Sequence, residues 1–439
     1  MVIPPFQAND EHGHFVRAYE ISRGHLLGKS LPSLPVSVIG LLARYPERLE
    51  DTGGAGKLIR EDLARAPESS EEIPLPDSGP THKYLKWGII GANLYCPVAY
   101  LPAAAGVWLG RSVSSSALSL IYAARLSNVI VFALALALAF QLAPECRALL
   151  GALAMLPMTL EQVSVVSADA AVISAAFLGF AAILRTRRKP ASRKLMVGIA
   201  ILLPLWAVCK PSPWTFGTTF LIGGVWFTSW RSRMLYVAAI LGAMLAASIW
   251  WQVLSSPNTQ ALRESRRMNG IDIDANVAYA TRHPGEFGLT IAFAAVKNLP
   301  EYARQFWGVF GWSKFSGPWW LRVSFLAFLI AVAATEELTI PFSVAERWLA
   351  AAVCLSGFLF VHAVIFLTDA HACEGVRFCF DNSAGVQGRY FIPFSLFGLV
   401  LLKQERIRIA QRTLLVSVAS FGMVQAVISL ATIAKRFYS

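Results

Sequence analysis

Two adjacent carboxylates near the start of the chain are the residues whose types and spacing most directly suggest chemistry. The segment PPFQANDEHGHF places Asp10 beside Glu11, with His14 close behind them. Paired carboxylates of this kind deprotonate a hydroxyl group or hold a divalent cation. The same residues also suit the first turn of a helix, where acidic side chains meet free backbone N–H groups. The sequence alone leaves both interpretations open.

A second group of polar residues suits phosphate binding. The segment GVQGRYFIPF brings Gln387, Arg389 and Tyr390 to the edge of an apolar run, where a planar guanidinium can bind a phosphate with two hydrogen bonds. Lys210 in VCKPSPW indicates a specific anion partner, and Asp169 in SVVSADAA begins another apolar run. The alternatives are an interfacial arginine anchor, a snorkelling lysine and an ordinary helix cap.

Two cysteines share one polar loop. Cys373 and Cys379 predict a disulfide if that loop lies outside the cytoplasm, although spacing alone does not fix the geometry. The remaining four lie in or beside apolar runs, as small buried hydrophobic residues do. They are Cys96, Cys146, Cys209 and Cys354.

The elements that must position these residues are membrane helices. Of the 439 residues, 55% are hydrophobic and only 15% are charged, whereas soluble domains carry about a quarter charged residues. Uncharged stretches such as Leu126–Pro144 match the roughly 20 residues that a helix needs to cross a bilayer. Their hydrophobicity is continuous rather than alternating, which favours helices over a β-barrel. The sequence predicts an all-α integral membrane protein in the lipid bilayer.

The apolar runs predict about ten transmembrane helices. Residues 185–194 (RTRRKPASRK) are strongly basic, which places them in the cytoplasm. Counting outward divides the chain into an outer-face loop with interfacial helices (1–119), transmembrane helices (120–252), a second outer-face loop (253–319) and further transmembrane helices (320–439). The predicted spans are about 120–142, 148–165, 168–184, 195–208, 214–229, 234–252, 320–337, 346–368, 389–402 and 413–434.

Two features of this topology bear on function. A helix-like stripe that includes Phe15 and Tyr19 predicts a helix lying on the membrane surface. The net charge of +12 comes largely from short loops between apolar runs, so it reports topology and not a nucleic-acid partner.

The motifs resemble those of a known bacterial membrane-protein family, domain of unknown function 2142. The segment PPFQANDEHGHFVRAYEISRGHL is similar to its opening signature, and the later motifs follow in matching order: LYCPVAYLPAAAG, ARLSN, SADA, CKP, FGW and GVQGRYFIP. The resemblance covers nearly the whole chain. It implies an architecture similar to the GT-C glycosyltransferases, with a first helix before Pro4 that this sequence lacks.

The resemblance also implies roles for individual residues. Asp10 would be the general base, with Glu11 and His14 supporting it, and Arg389 and Lys210 would lie near the donor phosphate. The implied activity is inverting transfer of a sugar from a polyprenyl-phosphate donor to a glycan or lipid acceptor of the cell envelope. The expected location is the outer face of the bacterial inner membrane.

Two other functions remain as alternatives. A carrier or flippase for glycolipids or polysaccharides would place ionisable residues along a path within the spans, whereas this chain keeps its charges mostly at span ends. A catalytically inactive assembly partner is favoured by the absence of the family's first helix.

Overall fold

A computed structural model of the chain describes residues 3–29, 32–44, 71–75, 88–113, 116–188, 192–210, 212–224, 227–312, 315–336, 342–370, 385–404, 407 and 409–438. Cys373 and Cys379 lie outside the described residues, so their disulfide stays a prediction. The four other cysteines are free thiols.

The described residues are predominantly helical. The helices are α1 (Glu11–Ser22), α2 (Val36–Arg44), α3 (Leu101–Val113), α4 (Ala117–Leu142), α5 (Arg147–Ala154), α6 (Pro157–Ser164), α7 (Ala168–Arg188), α8 (Arg193–Cys209), α9 (Pro213–Thr218), α10 (Trp230–Leu254), α11 (Ser256–Arg267), α12 (Ile273–Arg282), α13 (Pro284–Lys297), α14 (Leu299–Trp307), α15 (Trp319–Thr335), α16 (Val344–Asp369), α17 (Ile392–Leu399) and α18 (Gln411–Tyr438).

Short elements connect these helices. Within the described ranges, 3₁₀ turns lie at Pro97–Tyr100, Pro144–Cys146, Thr219–Leu221, Gly388–Phe391 and Val400–Leu402. One small antiparallel sheet pairs β1 (Ser33–Pro35) with β2 (Glu72–Pro74), and Leu34 lies opposite Ile73.

The prediction of a helical, multi-pass membrane protein is confirmed, whereas the predicted number of helices and the GT-C-like arrangement stay predictions. Within the described ranges, five helices are long and apolar enough to cross a bilayer: α4, α7, α10, α16 and α18. Two shorter apolar segments, α15 and residues 388–402, coincide with predicted spans. Local side chains set the boundaries. Ser343, for example, accepts the N–H of Glu346 and its own N–H donates to the Glu346 carboxylate, a reciprocal cap that starts α16.

Two predicted spans differ from the structure. The span at 148–165 is broken into α5 and α6, because Pro157 starts a new helix and disfavours helical backbone at the residue before it. The span at 214–229 is wrong. Among the described residues of this range, only α9 and the 3₁₀ turn after it are helical. Gly223 then lies so close to Thr186 that a Cβ atom would approach the Thr186 carbonyl oxygen to 2.5 Å.

Helix α7 forms the centre of the bundle. In its most apolar 18-residue window 72% of the residues are buried, against 28% in each of the other four long helices. It packs against α4, α8 and α17, and its Phe177 and Phe180 are fully buried. The amino-terminal end of this central helix is the end that carries Asp169.

Helix α1 is enclosed by the protein, whereas its predicted location on the membrane surface stays a prediction. Nearly all of its residues are buried, including Phe15 and Tyr19. Gly13 lies against Gly88 so closely that a Cβ atom would come within 2.3 Å of the Gly88 backbone. The stripe that predicted an exposed amphipathic helix is one face of a helix that packs inside the protein, against α3 and α4.

The segment predicted as the second outer-face loop is also helical. Residues 256–307 form helices α11 to α14. The apolar residues Leu289 and Val296 of α13 are 60% and 67% exposed, which suits a helix in contact with lipid. Its assignment to the outer face stays a prediction.

Candidate functional site

Most of the polar residues singled out in the sequence meet at one end of the bundle. The start of α1 supplies Asp10 and His14, and the start of α7 supplies Asp169. Lys210 follows the last residue of α8, and Arg389 comes from the 3₁₀ turn at 388–391. These four elements converge although the residues are separated by up to 379 positions in the sequence, from Asp10 to Arg389.

Asp10 occupies an uncommon backbone conformation. Its φ of 59° and ψ of 7° are left-handed, and its side chain makes no capping hydrogen bond to α1, so it is not an ordinary helix cap. Aspartate and asparagine tolerate this region better than most residues, and strain of this kind gathers at functional sites. The side chain is 51% exposed and its Oδ2 lies 3.9 Å from Nη2 of Arg389. The structure thus presents an accessible carboxylate beside a buried cation.

Glu11 is engaged elsewhere. Its side chain is fully buried, and Oε1 and Oε2 accept hydrogen bonds from Nε and Nη2 of Arg125 at 2.7 and 2.5 Å. The backbone N–H groups of Phe6 and Val166 donate to the same carboxylate at 3.0 Å each. Arg125 also donates to the carbonyl oxygens of Ile3 and Pro4. This cluster attaches the loop that carries Asp10 to α4 and to the segment before α7.

The sequence analysis missed Arg125. The signal was present, since an arginine in the middle of α4 is an intramembrane charge that requires a partner. Because the partner lies 114 residues away, periodicity could not identify it.

His14 lies behind Asp10. Its Nδ1 is 2.6 Å from the hydroxyl of Tyr100, and its ring also contacts Tyr95. Burial lowers the pKa of His14 to about 4, and the nearby Asp10 and Asp169 oppose that shift only in part. His14 is therefore neutral near pH 7 and serves as a hydrogen-bonding group rather than a cation.

Asp169, Lys210 and Arg389 form an ionic network. Nζ of Lys210 donates to Oδ1 of Asp169 at 3.1 Å, while Nε of Arg389 lies 3.7 Å from Oδ2. The ammonium of Lys210 also lies 4.4 Å from the centre of the Tyr390 ring. Burial acts to lower the pKa of Lys210, but Asp169, Tyr95 and Tyr390 outweigh it and raise the pKa, so this lysine stays charged.

Arg389 has unused hydrogen-bonding capacity. Its side chain is only 7% exposed, and its Nε has no hydrogen-bond partner among the described residues. A buried donor left unpaired is unfavourable unless a ligand completes it.

A packed turn presents Arg389. The N–H of Gly388 donates to Oε1 of Gln305 on α14 at 2.8 Å, and a Cβ atom on Gly388 would lie 2.2 Å from the carbonyl oxygen of Tyr302. Gln387 accepts a hydrogen bond from the side chain of Asn9 at 3.3 Å, which joins this turn to the loop of Asp10. Gln387 is thus placed to position the loop.

A cavity of about 350 Å³ opens beside this network. Asp169, Lys210, Tyr95 and Tyr390 lie on its polar side, whereas side chains of α16 give it an apolar wall. The apolar residues are Phe360, Val361, Val364 and Ile365. The cavity therefore suits a molecule with an anionic head and a hydrocarbon tail.

The adjacent carboxylates do not fit a shared metal site. Both oxygens of Glu11 accept hydrogen bonds from Arg125, so they do not join Asp10 as ligands. In the described part of the chain, no three His, Cys, Asp or Glu side chains gather at metal-binding distance.

The pH dependence of stability should report the buried histidines. Burial lowers the pKa of His12 to about 3 and that of His14 to about 4. At these two positions the unfolded chain binds protons first, so the contribution of the histidines to stability should fall as the pH drops from about 6.5 to about 4. Denaturant unfolding in detergent at several pH values measures this slope.

A variant comparison isolates the histidine contribution. Burial raises the pKa of Glu20 to about 7, which acts in the opposite direction, so the difference between variant and wild type is the useful quantity. As the pH drops from about 6.5 to about 4, the free energy of unfolding of the double variant His12→Asn, His14→Asn should rise relative to wild type, whereas His283→Asn, at an exposed position, should keep the wild-type slope. Equal slopes for all three proteins would contradict the conclusion that burial lowers the pKa values of His12 and His14.

Comparison with known proteins gives one match. A family model described as a predicted membrane protein (DUF2142) matches residues 1–398. Neither the curated proteins nor the solved structures contain a match.

Proposed function

The chain belongs to the DUF2142 family of predicted membrane proteins, and from this premise we propose that it is a membrane glycosyltransferase of GT-C type. The donor would be a sugar linked to polyprenyl phosphate, and the acceptor a hydroxyl group on a glycan or lipid of the cell envelope. Because the strongly basic loops are expected in the cytoplasm, the reaction would take place on the opposite, outer face of the bacterial inner membrane.

One observation carries this proposal. The accessible carboxylate of Asp10, held in a left-handed backbone, lies next to Arg389, and Arg389 shares Asp169 with Lys210. Asp169 and Lys210 line the polar end of a cavity that has an apolar wall. Transfer of a sugar from a lipid phosphate requires a general base, cations for the phosphate and an apolar cavity for the lipid chain. The cations suit the phosphate and the apolar wall suits the polyprenyl chain.

In the proposed reaction, Asp10 removes the proton from the acceptor hydroxyl as its oxygen attacks the anomeric carbon. The bond from the anomeric carbon to the phosphate oxygen breaks on the opposite side, and its electron pair leaves with the polyprenyl phosphate. The configuration at the anomeric carbon is therefore inverted. Lys210 and Arg389 stabilise the negative charge that develops on the leaving phosphate.

Asp169 would position these two cations. Its two oxygens face Lys210 and Arg389 separately, so it holds the two cations close together. Asp169 and Lys210 line the cavity, whereas Arg389 lies next to it on the other side of Asp169. At 3.7 Å, its contact with Nε of Arg389 is an ion pair but too long for a hydrogen bond. A donor phosphate can therefore bind that N–H without displacing a hydrogen bond.

Glu11 and His14 support the base indirectly. Through Arg125, Glu11 fixes the loop in which Asp10 lies. The neutral His14 and Tyr100 form the wall behind Asp10 without adding a positive charge that would weaken its basicity.

Sugar transfer in proteoliposomes tests the function. The purified chain is reconstituted with a panel of radiolabelled polyprenyl-phosphate sugars and envelope acceptors, and both the glycosylated product and free polyprenyl phosphate are measured. We expect equal amounts of the two products and none from empty liposomes. Movement of labelled donor across the bilayer without glycosylated product would overturn the proposal in favour of a carrier.

A further inference from the structure

A second cavity of about 440 Å³ is lined by helix α6. Its walls come from α4, α6 and the outer part of α18, together with Ile3 and Phe310. Two of its walls, α4 and α18, are candidate membrane-spanning helices with largely exposed surfaces, so the cavity borders the lipid. It shares no lining residue with the first cavity.

Most of the cavity surface is hydrocarbon. Val129, Phe132 and Leu136 line it from α4, while Leu430 and Ile433 line it from α18. These residues form two facing apolar walls along two helices. A space of this volume and shape accommodates an alkyl chain.

Two polar side chains in the cavity lack hydrogen bonds. Glu161 on α6 is 6% exposed, and its carboxylate accepts no hydrogen bond within the described ranges. Ser429 on α18 is 5% exposed, and its hydroxyl group likewise has no partner there. Leaving the buried hydroxyl of Ser429 without a partner is unfavourable, and the carboxylate of Glu161 lines the same cavity without a hydrogen bond. Their presence on different walls of one cavity indicates a ligand that bonds to both.

The chemistry of these groups distinguishes this cavity from the first. Arg125 also lines it, but all three guanidinium nitrogens already donate to Glu11, Ile3 or Pro4. The groups that remain are an acid and a hydroxyl, with no unused cation for a phosphate. A hydroxyl group both donates and accepts, so it pairs with Glu161 and Ser429 together.

We propose that this cavity binds one neutral bilayer lipid with a free hydroxyl group, such as a diacylglycerol, with the hydroxyl held between Glu161 and Ser429. The acyl chain lies between α4 and α18. This binding does not depend on the transfer reaction. The lipid would contact Ile3 and Arg125, the residues that anchor the loop of Asp10.

Photolabelling of the full chain in nanodiscs tests the proposal. The probes are a diacylglycerol and a phosphatidic acid that carry the same diazirine-bearing acyl chain. One or two buried hydrogen bonds correspond to a preference of about tenfold for the diacylglycerol. The crosslinks should map to peptides of α4 and α18. Equal labelling by the two lipids, or stronger labelling by phosphatidic acid, would overturn the proposal.

Variants separate the polar contacts from the apolar groove. In the double variant Glu161→Leu, Ser429→Ala the preference should disappear while the acyl chain still labels. Ala426→Trp fills the cavity and should abolish labelling, whereas Val427→Trp, on the exposed side of the same helix, should not. An unchanged preference in the double variant, with wild-type elution in size-exclusion chromatography, would contradict the proposal. Because binding is measured without sugar transfer, this result is independent of the proposed function.

Discussion

Replacing Asp10 with asparagine should lower kcat for sugar transfer by about 10²- to 10⁴-fold, the range expected for loss of a general base. Asparagine has nearly the same shape and tolerates the left-handed backbone that Asp10 adopts, so the loop should keep its conformation. The side chain is half exposed and makes no capping bond, so stability should change little. The kinetic loss should therefore appear in kcat rather than in folding.

The measurement is the initial rate of transfer at matched protein content, together with donor binding. Asp10→Asn should still bind polyprenyl phosphate, because Lys210 and Arg389 are unchanged. The matched control is Asp274→Asn, which changes an exposed aspartate on α12 and should leave the rate at the wild-type value. A rate for Asp10→Asn within a factor of about two of wild type would rule out Asp10 as the base.

Replacing Arg125 with leucine should destabilise the protein by about 3–5 kcal/mol, because it leaves Glu11 buried without its cation. The loss of stability is large since both side chains are fully buried and the guanidinium holds four acceptor oxygens, from Ile3, Pro4 and the Glu11 carboxylate. Reversible unfolding in mixed micelles measures this change. Activity should fall at the same time, because the loop that carries Asp10 loses its anchor.

A double-variant cycle tests whether the two residues act as one unit. Adding Glu11→Leu to Arg125→Leu removes the uncompensated charge, so the double variant should be more stable than the sum of the single effects predicts. The control is Arg263→Leu, whose partner Asp274 is exposed, and its cost should stay below about 1 kcal/mol. If the changes in the free energy of unfolding at Glu11 and Arg125 were additive, the two residues would not act as one ion pair.

The sequence was informative about fold class and about residue types at the site. Long uncharged runs required helices that satisfy their own backbone, and the five long helices agree with that prediction. Asp10, Asp169, Lys210 and Arg389 were each recognised separately, yet each also had a plain structural explanation. Only the packing of four elements brought them within ion-pair distance, and no local pattern contains that information.

The failures have a common physical origin. Hydrophobicity predicted a helix at 214–229, but it did not register the close approach of Gly223 to Thr186, which needs irregular backbone. The stripe on α1 predicted an exposed face, whereas the polar residues of this helix, Glu11 among them, find partners inside the protein. When a polar residue is paired with a partner far away in the sequence, a local pattern predicts it to be exposed, because the partner is not visible in that pattern.

The Glu11–Arg125 pair also constrains the order of biogenesis. Helix α1 leaves the ribosome before α4, so its buried charge is neutralised only after α4 has been made, more than a hundred residues later. Its carboxylate further requires the N–H of Val166. The segment that carries the proposed base is therefore synthesised early and docked late.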